Sequence, residues 1–141
     1  MVGVHLVFWL LNRDKEKDEE RRARVAHILA AAVNAPDDLH DDPLVPAVIA
    51  KSRNWVKENG VAKPQSAWFT NEVVRWTGGN YVVYGEVQSK NFHDETVRNW
   101  FVVAIREEDL ELEIADMLEF DPSGTRRIGG TDALKTTPPR S

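Results

Sequence analysis

The chain has 141 residues, a formal net charge of −5 and no cysteine. This length suits one domain that buries roughly two-thirds of the surface its unfolded chain would expose. The missing cysteine excludes disulfides and thiol catalysis, and the negative charge argues against nucleic-acid binding over the whole surface.

The charge and the apolar residues divide the chain into three predicted parts. Residues 122–141 carry a balance of +3, which leaves −8 for residues 1–121. We predict an apolar N-terminal segment over residues 1–12, a single α+β domain over residues 13–121 and a flexible basic tail over residues 122–141. The tail is rich in Gly, Thr and Pro and lacks apolar periodicity.

The N-terminal segment from Val2 to Leu11 is apolar and runs directly into charged residues. As a helix it would span about 15 Å, half of the ~30 Å hydrocarbon core, so it cannot cross a bilayer by itself. We interpret it as a buried strand or as the start of a helix that packs on the domain. The alternative is the end of a membrane anchor, because Arg13, Lys15 and Lys17 follow at once. The localisation is therefore open between cytoplasm and membrane.

A first helix is predicted over residues 13–34, where strong helix formers dominate and Asn12 can cap the start. Its charged first half is expected to be solvated and to project from the body. An apolar stripe over the second half consists of Val25, Leu29, Ala32 and Val33. Pro36 ends this helix.

A second helix is predicted from Pro43 to Asn59, with Asp42 as its N-cap and proline at its first position. Gly60 is expected to end it in a left-handed conformation. The loop before this helix is rich in Asp and His, but its spacing matches no calcium loop. We therefore expect no metal there, and no cofactor elsewhere.

The region from Pro64 to Ile105 predicts three antiparallel strands, near residues 67–76, 80–91 and 97–105. Gly78 and Gly79 are expected to form the tight turn of the first hairpin, since glycine adopts positive φ without strain. Residues 107–120 fit either a helix or a strand. We favour a fourth strand, because it would follow Ile105 by a short connection.

Alternation along the strands separates two faces of this sheet. One face should receive both helices, as the layering of α+β domains requires. Its core is predicted to contain Tyr81, Val83, Val87, Phe101, Val103 and Ile105, packed against Val25, Leu29, Val48 and Val56. The opposite face is predicted to hold Trp68, Val74, Trp76, Tyr84, Trp100 and Val102.

The aromatic face carries the functional prediction. Each buried aromatic side chain removes about 150–250 Å² from water, so several together exceed the ~300–600 Å² patch that a typical monomer exposes. Either the chain itself or a partner should cover them. We predict a non-enzymatic protein-interaction or assembly domain, membrane-proximal through its N-terminal segment, that binds a partner protein or a second copy of itself. The interaction residues are Trp68, Trp76, Tyr84 and Trp100.

The alternative function is a small cone-like α+β enzyme or ligand-binding domain. His93 and Asp94 lie at a predicted strand connection, and Glu86 lies in the middle of a strand. A pocket near these three residues would place acid and base groups together. No nucleic-acid partner is expected on either interpretation.

The chain contains P-Q-S-A-W-F, a Gly-rich turn, G-E-V-Q-S-K-N-F from Gly85 to Phe92, and W-F-V-V, in that order. Over about 45 residues this succession resembles a small bacterial and phage-borne domain family. The family typically shows P-x-S-A-x-F and then C-G-E-V-N-x-K-N. This chain departs from it at Tyr84, at Gln88 and in a His-Asp-Glu loop where the family has glycines. The resemblance implies an α+β unit, often exported or membrane-associated, without an assigned activity.

Overall fold

The computed structural model describes residues 2–119 and 121–122, with side chains for residues 17–119 and 121–122. Two helices, α1 (Val2–Val33) and α2 (Val45–Asn59), precede four strands. These strands are β1 (Trp68–Trp76), β2 (Asn80–Lys90), β3 (Thr96–Arg106) and β4 (Leu112–Leu118). They form one antiparallel sheet in the order β1-β2-β3-β4. The predicted α+β fold with two N-terminal helices on an antiparallel sheet is confirmed, as is the fourth strand.

Helix α1 begins at Val2, so the prediction that Asn12 starts a separate helix is wrong. Leu10 and Leu11 are good helix formers on one side of Asn12, and charged helix formers follow on the other. A helix that is already formed propagates through a single Asn, because only nucleation is costly. The N-terminal segment therefore has helical backbone rather than strand. None of the helices in the described residues is both long and apolar enough to cross a membrane.

Helix α2 begins at Val45, two residues later than predicted. The Asp42 carboxylate does accept the backbone N–H of Leu44, at 2.9 Å, and it also accepts the Tyr81 hydroxyl at 2.7 Å. The predicted left-handed cap at Gly60 is wrong, because its φ is −112°. The space above Gly60 is filled by Met117 instead: a Cβ there would collide with the sulfur, so the Met117 side chain would have to move.

The two helices pack on opposite faces of the sheet, so the prediction that one face receives both is wrong. The α2 face has a core of Val48, Val56, Tyr81, Val83, Val87, Phe101, Val103, Ile105 and Ala115. The α1 face has a core of Val25, Ala32, Val82, Tyr84, Val102, Ala104 and Ile114, with Leu29 packed against it. The strand and α2 part of the predicted core is correct, whereas Val25 and Leu29 belong to the other face. A sheet whose central strands are apolar on both sides needs a cover on each side.

A β-bulge in β1 changes which face its residues occupy. Thr70 pairs with Glu86 and Val73 pairs with Tyr84, so two residues of β1 stand opposite Gly85 alone. One of the two, Asn71, has a φ of 54°. A Cβ on Gly85 would lie 3.0 Å from the Cα of Glu72, so glycine allows this close approach. Residues after the bulge are exchanged between faces relative to strict alternation.

The turn between β1 and β2 has the predicted conformation. Gly78 and Gly79 have φ values of 83° and 151°, which residues with a Cβ rarely adopt. The N–H of Thr77 donates to the carbonyl of Asn80 at 2.9 Å and closes the hairpin. The predicted positive φ at both glycines is therefore confirmed.

Arginine side chains occupy both edges of the sheet. On β4, Arg21 of α1 donates to the backbone carbonyl of Ala115. On β1, Arg53 of α2 forms a two-nitrogen pair with the carboxylate of Glu72 at the bulge. A bulge and charged side chains are common ways of preventing strand addition at an edge. These side chains therefore make both edges poor sites for adding a strand.

The predicted basic tail lies outside the described residues from position 123 onward. Its first residue, Pro122, is described and is fully buried.

Candidate functional site

The bulge and α1 divide the predicted aromatic face. Tyr84 is only 5% exposed because it lies beneath α1. Trp76 pairs with Tyr81 and therefore lies on the α2 face, where it is 43% exposed. Trp68 pairs with Gln88 on the α1 face, although strict alternation would place Trp68 and Trp76 on the same side. The prediction of one face bearing all four aromatic residues is therefore wrong in its geometry.

Two of the four aromatic residues remain together at the end of the α1 face that α1 does not cover. We call this surface the distal patch and define it as Trp68, Thr70, Glu86, Gln88, Lys90, Arg98 and Trp100. Its residues form cross-strand rows, Thr70–Glu86–Trp100 and Trp68–Gln88–Arg98, followed by Lys90–Thr96. Trp68 and Trp100 lie two strands apart and in adjacent rows, so their Cα atoms are about 12 Å apart at ~4.8 Å per strand and ~3.3 Å per residue.

The tryptophans of the distal patch differ in exposure. Trp68 is 68% exposed, whereas Trp100 is half-buried next to Leu118 of β4. Phe92, in the adjacent β2–β3 turn, is 79% exposed. Large apolar side chains exposed at one end of a sheet are typical of a contact surface, since isolated exposure is common but clustering is not.

Glu86 is the buried polar residue at the centre of the patch. It is 7% exposed, although it lies in the central strand β2. Thr70 donates its hydroxyl to Oε1 at 2.7 Å, and Nε of Arg98 lies 3.0 Å from Oε2. Both carboxylate oxygens are therefore engaged, as a buried carboxylate requires.

Arg98 contacts Glu86 through the Nε side of its guanidinium group. Its Nε faces Glu86, while the side chain as a whole is 58% exposed. No hydrogen bond joins its two terminal nitrogens to any other residue in the described part of the chain. These nitrogens form the planar fork that binds a carboxylate or a phosphate through two parallel hydrogen bonds.

The distal patch has a local positive charge on an acidic protein. Arg98 and Lys90 are its two cations and Glu86 is its single carboxylate. In the adjacent turn, Asp94 pairs with Lys63, whereas Glu95 accepts from the uncharged Asn91 amide and keeps its charge. Lys90 itself donates to the Thr96 hydroxyl at 2.9 Å.

The structure does not bring the three residues of the alternative pocket together. His93 is exposed in the β2–β3 turn, where its backbone N–H donates to the side chain of Asn91. Glu86 lies four residues before the end of β2, about 13 Å at ~3.3 Å per residue. Two grooves of about 340 and 510 Å³ lie along α1 and β4, and neither is lined by Glu86, His93 or Asp94.

The sequence analysis did not select Arg98 and Thr70 as site residues. A pattern that could have found Arg98 was present, because alternation along β3 puts it on the same face as Trp100. A glutamate in the middle of an otherwise apolar strand needs a cation, and Arg98 is the cation within reach on the neighbouring strand. Thr70 could not be found in this way, because it depends on the register before the bulge.

Comparison with known proteins gives no match: no family model fits the chain, and no curated protein or solved structure is significantly similar to it. The resemblance to the bacterial and phage-borne family therefore stays a prediction.

Proposed function

We propose that the protein is a non-enzymatic interaction domain that binds another protein through the distal patch. The observation that carries this proposal is Trp68, whose side chain is 68% exposed on the sheet face that also holds Trp100. Exposed tryptophans are the residues most often found to dominate binding energy at protein interfaces. The partner covers Trp68 and Phe92 and approaches the half-buried Trp100.

The surroundings of Glu86 support binding rather than catalysis. A general base must reach a substrate proton with a free carboxylate oxygen. Glu86 is buried and both of its oxygens are engaged, by Thr70 and by Arg98. His93 lies in the exposed β2–β3 turn, beyond the end of β2 and about 13 Å or more along the hairpin from Glu86, so it is out of hydrogen-bond reach of that carboxylate.

The occupied edges support a contact through the face. Arg21 covers an outward carbonyl of β4, and the bulge with Arg53 and Glu72 interrupts β1. A partner that added a strand would have to displace these side chains. A partner that docks on the distal patch displaces none of them.

A peptide-display selection on the immobilised full chain tests the proposal. We expect the selection to yield peptides that bind the wild-type chain and whose affinity for the Trp68→Ala variant is lower by about 30-fold or more. A 30-fold loss corresponds to ~2 kcal/mol, the contribution of one aromatic anchor. Trp76→Ala is the matched control, because Trp76 is also exposed but lies on the α2 face. Peptides that bind equally to wild type and Trp68→Ala, with none that depends on Trp68, would refute the proposed site.

A further inference from the structure

We infer that Arg98 recognises a carboxylate of the partner protein, and that Glu86 is the positioning residue that holds the guanidinium group for it. This inference rests on the proposed function and specifies the chemistry of the partner: an acidic segment that places an Asp or Glu side chain, or a C-terminus, on Arg98.

The orientation of Arg98 is the first argument. Glu86 contacts Nε, at 3.0 Å, which occupies the side of the guanidinium group and leaves its end free. A carboxylate approaching that end can accept two parallel hydrogen bonds from the terminal nitrogens. An arginine fixed in advance loses less conformational freedom on binding, so it binds more tightly than a freely rotating one.

The cost of burying Glu86 is the second argument. Replacing a buried ion pair by apolar residues is often neutral or stabilising, so stability alone does not explain a carboxylate in the central strand. Tyr84, two residues before Glu86 on the same face, and Val102, diagonally across on β3, show that buried apolar side chains occupy neighbouring positions of this face. The arrangement is explained if Glu86 serves to orient Arg98.

Charge complementarity is the third argument and selects an acidic protein segment as the occupant. Lys90 and Arg98 give the distal patch a positive charge, while the chain as a whole carries −5. Trp100 lies two residues along β3 from Arg98, and Trp68 lies two strands away in the cross-strand row of Arg98. A partner that covers this face would exclude water from the carboxylate and strengthen its attraction to Arg98. An extended nucleic acid would reach beyond this small patch, where the acidic residues of the domain repel its phosphates. A short protein segment is therefore the better fit.

The test uses the highest-affinity Trp68-dependent peptide from the display selection, synthesised with its acidic residue and with the corresponding amide. We expect Arg98→Gln to weaken the acidic peptide at least 10-fold and to leave the affinity for the amide peptide unchanged. This coupling in a double-mutant cycle shows direct contact between the two groups. Arg98→Lys should not restore binding, because lysine lacks the planar fork.

The control is Arg24→Gln, which removes the same charge from an arginine of equal exposure. Arg24 is 57% exposed and pairs with Glu113 at 3.0 Å, whereas Arg98 is 58% exposed and pairs with Glu86 at the same distance. Arg24→Gln should change the affinity by less than twofold. Glu86→Gln should weaken the acidic peptide several-fold, and less than Arg98→Gln does.

The outcomes separate this inference from the proposed function. Trp68-dependent peptides that carry no acid, or that bind Arg98→Gln as tightly as wild type, would overturn the role of Arg98 and leave the interaction site standing. Absence of any Trp68-dependent peptide would overturn both. If single-stranded oligo(dT) binds the wild-type chain and does not bind the Arg98→Gln variant, the partner is a nucleic acid and the inference of an acidic protein segment is overturned.

Discussion

Replacing Glu86 by leucine should separate stability from binding. The carboxylate is 7% exposed and makes two contacts, one with the Thr70 hydroxyl and one with Nε of Arg98. Leucine removes both contacts. It also removes the cost of holding a carboxylate away from water, and it places an apolar side chain beside Trp100.

These effects nearly cancel. Loss of the two contacts should cost about 2–3 kcal/mol, because each is made to a charged group and Arg98 is half-exposed and regains water. Burial of a leucine side chain returns about 1.5–3 kcal/mol. We therefore expect the free energy of unfolding of Glu86→Leu to lie within about 1 kcal/mol of wild type. Affinity for the acidic peptide should fall at least as far as in Glu86→Gln.

Guanidinium chloride unfolding, followed by circular dichroism, measures the free energy. The slope of the free energy of unfolding against denaturant concentration should be unchanged, because the variant exposes the same surface on unfolding as the wild type. A loss above about 3 kcal/mol would show that Glu86 holds the sheet together, and the argument that it serves to orient Arg98 would be refuted. If Glu86→Leu changes neither the stability nor the affinity for the acidic peptide, the orienting role of Glu86 is refuted as well.

Three further predictions concern the fold. Phe101→Ala should cost about 3–5 kcal/mol in the same titration, because Phe101 is fully buried and packs edge-to-face on Phe69 at 5.7 Å; a loss below ~1 kcal/mol would contradict the assigned core. Gly78→Val should lower the melting temperature, because a β-branched residue is strained at a φ of 83°, and an unchanged melting temperature would show that the turn tolerates it. Burial, together with the hydrogen bond to Asp42, raises the pKa of Tyr81 to about 12. The protonated Tyr81 hydroxyl therefore makes its full contribution to the free energy of unfolding below pH ~10, and this contribution is lost as the pH rises toward 12. Tyr81→Phe should therefore be destabilised by about 1–2 kcal/mol at pH 8 and should approach wild type between pH 10 and 12, whereas a constant difference over that range would argue against the raised pKa.

Local sequence patterns predicted much of this fold because they depend on neighbouring residues. The two-glycine turn at Gly78, the helical stripe that includes Val25 and the strand after Ile105 are set by backbone preference and by apolar spacing. The same local rules failed at Asn12 and Gly60. At Asn12 the flanking helix formers continue α1 through a residue that could have been a cap. At Gly60 the backbone is not left-handed, and the Met117 side chain packs where a Cβ would lie.

Two helices, a two-glycine hairpin and regular alternation along β2 and β3 follow from the sequence alone, because they depend on near neighbours. Which helix covers which face follows only from the packing, because central strands that are apolar on both sides accept a helix on either. The packing also sets which aromatic residues share a face. The bulge opposite Gly85 exchanges the faces between Trp68 and Trp76, and a period of two cannot reveal one extra residue until the register with β2 is known. The candidate site depends on that register, since it places Thr70 and Trp68 beside the pair formed by Glu86 and Arg98.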